Sequence, residues 1–196
     1  ERTLLDEKIV AANTRALKAQ LKKLLGDVSF KMVDNADWLT EVKLLPFLRN
    51  VGKHFTVNDL IKRDIIKKRL DTPDESISYT EFTYALLQGF DYLTLNEQYS
   101  ADLQIGGSDQ WTNMLSGVEL IRKSLGKQVY IIAMPLVTDA IGKKFGKSEG
   151  NAIWLDAGKT SPFCFYQFWI NLPDESIEHY LRAYTFLPIA EIDALM

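Results

Sequence analysis

Between residues 101 and 134 the chain alternates in a way that few folds accommodate. A short apolar run over 101–105 leads into Gly106 and Gly107, a helical pattern covers 110–124, and a second apolar run occupies 128–134. The second run is apolar on both faces, as a buried parallel strand should be. Strand, helix and strand in this order predict an α/β fold with a parallel sheet. In open sheets of that kind ligands settle beyond the carboxyl ends of the strands, so the glycine pair stands where a nucleotide binds.

The rest of the chain reads as mostly helical. Leu5, Ile9, Val10, Leu17, Leu21 and Leu24 recur at helical spacing, with Lys18, Lys22 and Lys23 left for water, and Gly26 ends that helix. A short strand is expected over 28–33. Asn35 or Asp37 then caps a helix carrying Trp38, Leu39, Val42, Leu45, Phe47 and Leu48, which Pro46 kinks or divides. Thr56 reads as the N-cap of a helix over 57–60, and 71–76, with Pro73, as a polar loop. A helix starting at Ser78 or Thr80 runs to about Tyr99. Beyond it, 152–156 is expected to be extended, and 162–170, 175–184 and 190–196 to be helical.

Composition narrows the class. A chain of 196 residues, 46% hydrophobic and 25% charged, is that of an ordinary soluble globular protein with one core and a small appended element. Apolar runs such as 129–137 are too short to span a bilayer. Glu1 is not followed by an apolar signal region, and the one cysteine, Cys164, has no internal disulfide partner. A reducing compartment fits both facts. A net charge of −3 lacks the overall basicity of a general nucleic-acid binder, and the basic patch of Lys62, Lys67, Lys68 and Arg69 reads as a solvated helix face.

Three groups of residues carry candidate chemistry, each with a plain structural alternative. Gly106 and Gly107 admit a ribose or base close to the backbone, Asp109 accepts from ribose hydroxyls, and Gln110 donates to a carboxylate or phosphate; otherwise this is a tight turn capped by Ser108 and Asp109. Tyr84, Gln88 and Asp91, at i, i+4 and i+7, form one polar row on a helix. Such a row either satisfies itself internally or lies along an amino acid, with Tyr84 and Gln88 on its ammonium group and Asp91 on a hydroxyl at the far end. Lys144 and Lys147, on a loop loosened by Gly142, Gly146 and Gly150, are either solvated or close on a polyphosphate. Charge placed where pyrophosphate leaves is the help that phosphoryl-type chemistry needs, from the two lysines and Mg²⁺. His54 and His179 lack metal-ligand spacing and support no hydrolytic triad.

The stretches FTYALLQGFDYL, LQIGGSDQW and KFGKSEGNAIWLD, in this order and with these gaps, resemble the tyrosyl-tRNA synthetases of the bacterial type. The likeness runs on through SPFCFYQFWINLPD and YTFLPIAEI and covers nearly the whole chain. It implies the C-terminal part of a class I aminoacyl-tRNA synthetase Rossmann-like catalytic domain over 1–150, then a helical segment over 151–196. The implied reaction joins L-tyrosine and ATP into tyrosyl-adenylate, releases pyrophosphate, and passes the tyrosyl group to tRNA(Tyr). Matched residue by residue, Tyr84 and Gln88 bind the amino group and Asp91 the phenolic hydroxyl. Gly107 and Asp109 contact the adenylate ribose, and Gln110 lies near the reacting carboxylate and α-phosphate. Lys144, Lys147 and Ser148 match the KMSKS signature, with Lys147 also on ATP, and Arg2 resembles a mobile-loop arginine that meets the pyrophosphate.

The same resemblance makes the piece incomplete. No HIGH-like motif is found, so the chain is expected to be a fragment, inactive alone, that lacks the first half of the nucleotide fold and a C-terminal tRNA-binding domain. Residues from about 36 to 79 resemble the family's dimerisation insertion, which would bring Phe47, Phe55 or Tyr79 to the second subunit of a homodimer. No membrane partner is expected, and the compartment is bacterial cytoplasm or a mitochondrial matrix. Two rivals stand beside this reading: a tryptophanyl-tRNA synthetase relative, and a non-catalytic RNA-binding or structural reuse of the fold.

Overall fold

The computed structural model describes residues 5–73, 76–138 and 153–196. The chain forms two units, residues 1–52 and 53–196. In the first, helix α1 spans Glu7–Leu25, with Asp6 accepting from the Lys8 N–H at its start. It stops at Gly26, whose φ of 56° suits a residue without a Cβ and whose N–H donates to the Lys22 carbonyl. The apolar stripe read from the spacing is uncovered: no residue of α1 is buried, and Leu24 is 60% exposed.

The strand expected over 28–33 does not form. The segment has no ladder partner among the described residues, and its backbone leaves α1 by a turn in which Val28 N–H donates to the Leu25 carbonyl. A lone extended segment has nothing to bond its backbone to but water. The helix expected around Trp38 is two: α2, Ala36–Leu39, preceded by Asn35, and α3, Leu44–Asn50. Pro46 falls in the first turn of α3, where its missing N–H has no helical acceptor to lose.

In the second unit Thr56 caps α4, Val57–Ile61, by accepting from the Asp59 N–H, and α5 follows over Asp64–Leu70. Helix α6, Tyr79–Tyr99, begins on a capping box: Ser78 Oγ accepts from the Glu81 N–H, and the Glu81 carboxylate accepts from the Ser78 N–H. Arg69 fastens this corner, donating to Glu81 at 2.7 Å and to the Ser76 carbonyl at 2.6 Å. At Ser100 the backbone turns left-handed, with φ 56°, and the chain reverses into strand β1, Leu103–Gly107. A single 3₁₀ turn, Ser108–Gln110, leads into α7, Trp111–Leu125, and β2 covers Tyr130–Met134.

β1 and β2 pair in parallel, Leu103 opposite Tyr130 and Gly107 opposite Met134. The glycine pair is therefore inside the ladder, two residues later than the expected strand end. Helices α6 and α7 cross closely above the strands, around a core of Tyr92, Met114, Leu120 and Ile121. Gly117 makes the crossing possible: a Cβ there would lie 2.6 Å from Tyr92 Cδ1 and 2.8 Å from Tyr92 Cβ. Tyr92 then ties the helix to the sheet by donating from its hydroxyl to the Tyr130 carbonyl at 2.8 Å.

The expectation that β2 is covered on both faces is not met. Leu103, Ile105, Tyr130, Ile132 and Met134 alternate outward on one face and are all exposed, Ile105 by 59%. Among the described residues, helices cover the opposite face only. The residues after the lysine loop also differ from expectation: 155–160 form bends and turns, closed by the Trp154 N–H donating to Thr160 Oγ1, in place of an extended piece.

Three helices end the chain: α8, Pro162–Ile170, capped by Ser161; α9, Asp174–Tyr184; and α10, Ile189–Leu195. Trp169 of α8 packs edge-on against Tyr180 and Tyr184 of α9, and Arg182 of α9 bridges Glu178 and Asp193, which joins α9 to α10.

Candidate active site

Tyr84, Gln88 and Asp91 lie on α6, as expected, with Tyr84 59% exposed and Gln88 and Asp91 half-buried. Their partner elements follow from how the chain reverses at Ser100. Asn96 Nδ2 donates to the Ala101 carbonyl, so these two residues mark a common level from which α6 and β1 run back in opposite directions. The strand advances about 3.3 Å per residue and the helix about 1.5 Å, so each strand residue passes about two helical ones. Leu103, with its ladder partner Tyr130, then falls level with Tyr92, where the Tyr92–Tyr130 hydrogen bond is found.

Carried further, the same count places Gln104 level with residues 89–90, within a turn of Asp91, and Gly107 level with residues 83–84, the level of Tyr84. The polar row thus runs antiparallel to β1, with Asp91 at the buried end and Tyr84 at the glycine turn. Gly106 and Gly107 are required by space and not by backbone angle. A Cβ on Gly106 would lie 2.9 Å from Met114 Sδ, so this glycine lets α7 approach the strand. A Cβ on Gly107 would lie 2.6 Å from Asp109 Oδ1, so the second lets the Asp109 carboxylate fold back over the strand end. Gln110 is half-buried at the start of α7, and its Oε1 accepts from Asn113 Nδ2 at 3.3 Å.

The structure has Tyr84, Gln88 and Asp91 on α6, and Gly107, Asp109 and Gln110 at the end of β1 and in the turn before α7, all in the second unit. Arg2, Lys144, Lys147 and Ser148 lie outside the described residues. Among the described residues no group of three His, Cys, Asp or Glu side chains is placed to hold a metal ion. An apolar cavity of about 710 Å³ lies elsewhere, between α8 and α9, lined by Trp169, Tyr180 and Tyr184. It shares no residue with the polar row and offers few polar groups to fix a substrate, so the row and not the cavity is the candidate site.

Two residues that matter to this geometry were passed over in the sequence. Gln104 is a polar residue on the helix-facing side of an otherwise apolar strand, and its Oε1 is buried with no hydrogen-bond partner. Gly117 is a glycine inside a helical pattern, which marks close packing when the helix persists through it.

Comparison with known proteins shows the family. The family model described as tRNA synthetases class I (W and Y) matches residues 1–196. Tyrosine–tRNA ligase 1 of Vibrio parahaemolyticus is 48% identical over 198 residues, covering 100% of this chain and 47% of that protein. Tyrosine–tRNA ligase of Streptococcus mutans is 47% identical over 197 residues, covering 98% and 46%. The crystal structure of a C-terminally truncated Aspergillus nidulans mitochondrial tyrosyl-tRNA synthetase superimposes with a TM-score of 0.76 at 30% identity, over 98% of this chain and 59% of that one. The chain spans about half the length of the curated relatives it matches.

Proposed function

Because the chain belongs to the class I tRNA synthetases of the W and Y family, we propose that it is part of a tyrosine–tRNA ligase, which activates L-tyrosine with ATP and transfers it to tRNA(Tyr). The observation that carries the reading is the antiparallel course of the α6 row beside β1. It provides a polar track whose buried end holds a carboxylate, Asp91, and whose open end meets the Gly107–Gln110 turn. An amino acid lying on this track points its side chain at Asp91 and its reacting carboxylate at the turn. The names of the bacterial relatives support tyrosine over tryptophan, as does a carboxylate placed to accept from a hydroxyl.

In this reading Tyr84 and Gln88 hold the substrate ammonium, Asp109 accepts from the ribose hydroxyls of ATP, and Gln110 steadies the tyrosine carboxylate next to the α-phosphate. A carboxylate oxygen attacks the α-phosphorus, a new P–O bond forms, and the bond to the β-phosphate breaks as pyrophosphate departs. Lys144 and Lys147, with Ser148 and Arg2, receive the charge that accumulates on the leaving group. A hydroxyl of the tRNA 3′ end then attacks the tyrosyl carbonyl, and AMP leaves. Mg²⁺ is expected to accompany ATP, on its phosphates, where it would offset their charge.

Tyr79, 74% exposed at the start of α6, supports a homodimer formed through the segment around 36–79. Bacterial relatives support a cytoplasmic location, the fungal structure a mitochondrial alternative. Among the described residues no helix is long and apolar enough to cross a membrane. The test is tyrosine-dependent ATP–pyrophosphate exchange by the complete protein. Exchange with tyrosine and not with tryptophan supports the assignment, and exchange with tryptophan alone refutes it.

A further inference from the structure

Gln104 is the second residue of β1 and shares a face with Gly106. That face meets α7, since a Cβ on Gly106 would touch Met114 and Gln110, whereas Leu103 and Ile105 point away into solvent. Gln104 thus turns a neutral amide into the layer that carries α6 and α7. Its Oε1 is buried, and it is the one buried side-chain oxygen or nitrogen among the described residues with no hydrogen-bond partner. A buried polar atom left unpaired disfavours the fold, and Leu or Met would fill the same space without that penalty. The level count puts residue 104 within a helical turn of Asp91, near the end of the track where the substrate side chain ends.

We propose that Gln104 is a further specificity-determining residue: its amide, next to Asp91, hydrogen-bonds the phenolic hydroxyl of the bound amino acid. The proposal rests on the reading of the α6 row as the tyrosine track. A phenol carries one proton and two lone pairs. The proton goes to the Asp91 carboxylate, and the oxygen accepts from the Gln104 N–H, because a half-turn of the terminal amide exchanges Oε1 for Nε2 at the same position. Phenylalanine offers neither the proton nor the lone pair, so it strands two buried polar groups in place of one.

The experiment compares tyrosine and phenylalanine in pyrophosphate exchange by the complete enzyme, for Gln104→Met, Gln104→Glu and, as a reference, Asp91→Ala. Gln104→Met keeps the length and removes both amide atoms. It is expected to raise KM for tyrosine and so lower the tyrosine-to-phenylalanine ratio of kcat/KM by about tenfold, with KM for ATP unchanged. Gln104→Glu keeps the shape but, when ionised, loses the donor, and is expected to lower the ratio as well. It carries the measurement if the methionine variant does not fold. A ratio unchanged in the variants that fold, or an equal loss for both amino acids, overturns the proposal, since a merely structural amide would spare the ratio. If Asp91→Ala also leaves the ratio unchanged, the reading of the whole row fails. If Asp91→Ala alone collapses it, only the role of Gln104 fails.

Discussion

Gly117→Ala sets two opposed effects against each other, and the structure decides the sign. In the middle of an exposed helix the exchange of glycine for alanine would stabilise by about 1 kcal/mol. At this position the new methyl would sit 2.6 Å from Tyr92 Cδ1 and 2.8 Å from Tyr92 Cβ, closer than carbon atoms approach. The second contact matters most, because a Cβ is fixed to the backbone and cannot rotate away. Relief requires α6 and α7 to separate by several tenths of an ångström, and overpacking of this sort costs about 1–3 kcal/mol. Tyr92 is 1% exposed and hydrogen-bonded to Tyr130, so its ring has no empty space to enter. With two contacts under 3.0 Å, one of them to a backbone-fixed carbon, the cost falls in the upper part of that range, about 2–3 kcal/mol, and the net expectation after the propensity gain is a loss of about 1–2 kcal/mol, read as a lower urea midpoint at unchanged slope. Gly117→Val should lose more than Gly117→Ala. An alanine variant as stable as the parent, or more so, would refute the reasoning. Because α7 begins at the Gln110 turn and α6 carries the polar row, the same variant should also lower kcat for tyrosine activation in the complete enzyme.

Asp91→Ala should cut kcat/KM for tyrosine about a hundredfold in the exchange assay, the worth of one hydrogen bond to a charged group, and change phenylalanine little; an unaltered preference for tyrosine would contradict the role given to that carboxylate. Lys147→Ala should lower kcat for adenylate formation and leave tyrosine affinity, measured by equilibrium dialysis without ATP, as it was. The Glu81 carboxyl is held down to about 2 by its hydrogen bonds to Arg69 and to Ser78, against an ordinary value of 4.5. A depressed carboxyl stabilises the fold above its unfolded value and loses that contribution as pH falls towards the folded one. Thermal melting of the wild type should therefore drop more between pH 5 and pH 2 than that of Glu81→Gln; the exposed pair makes the difference small, and identical pH profiles would count against the clasp.

Local rules made much of the fold readable. Thr56 and Gly26 announced helix ends, and Ser78 was one of two starts offered for α6, because a cap is decided within four residues. The row on α6 was visible for the same reason, since i, i+4 and i+7 fix a face without any tertiary knowledge. What escaped depended on partners distant in sequence. Among the described residues, the run 28–33 has strand composition but no ladder to join, and the stripe on α1 has helix periodicity but no cover. β1 outlasted its expected end because glycines in a ladder next to close neighbours look, in sequence, like a turn. Gln104 gave only a faint signal, one amide within an apolar run, and its meaning came from the level of Asp91 on a helix that the sequence alone could not lay beside it.

The uncovered side of the two strands has a practical consequence. Leu103, Ile105, Tyr130, Ile132 and Met134 form an oily band, and among the described residues each strand also presents an unpaired backbone edge. In water such a band sequesters itself against whatever apolar matter is available, including its own copies. Expressed by itself, this stretch of polypeptide should lose monomer as its concentration rises, with light scattering increasing well below the temperature at which its helices melt.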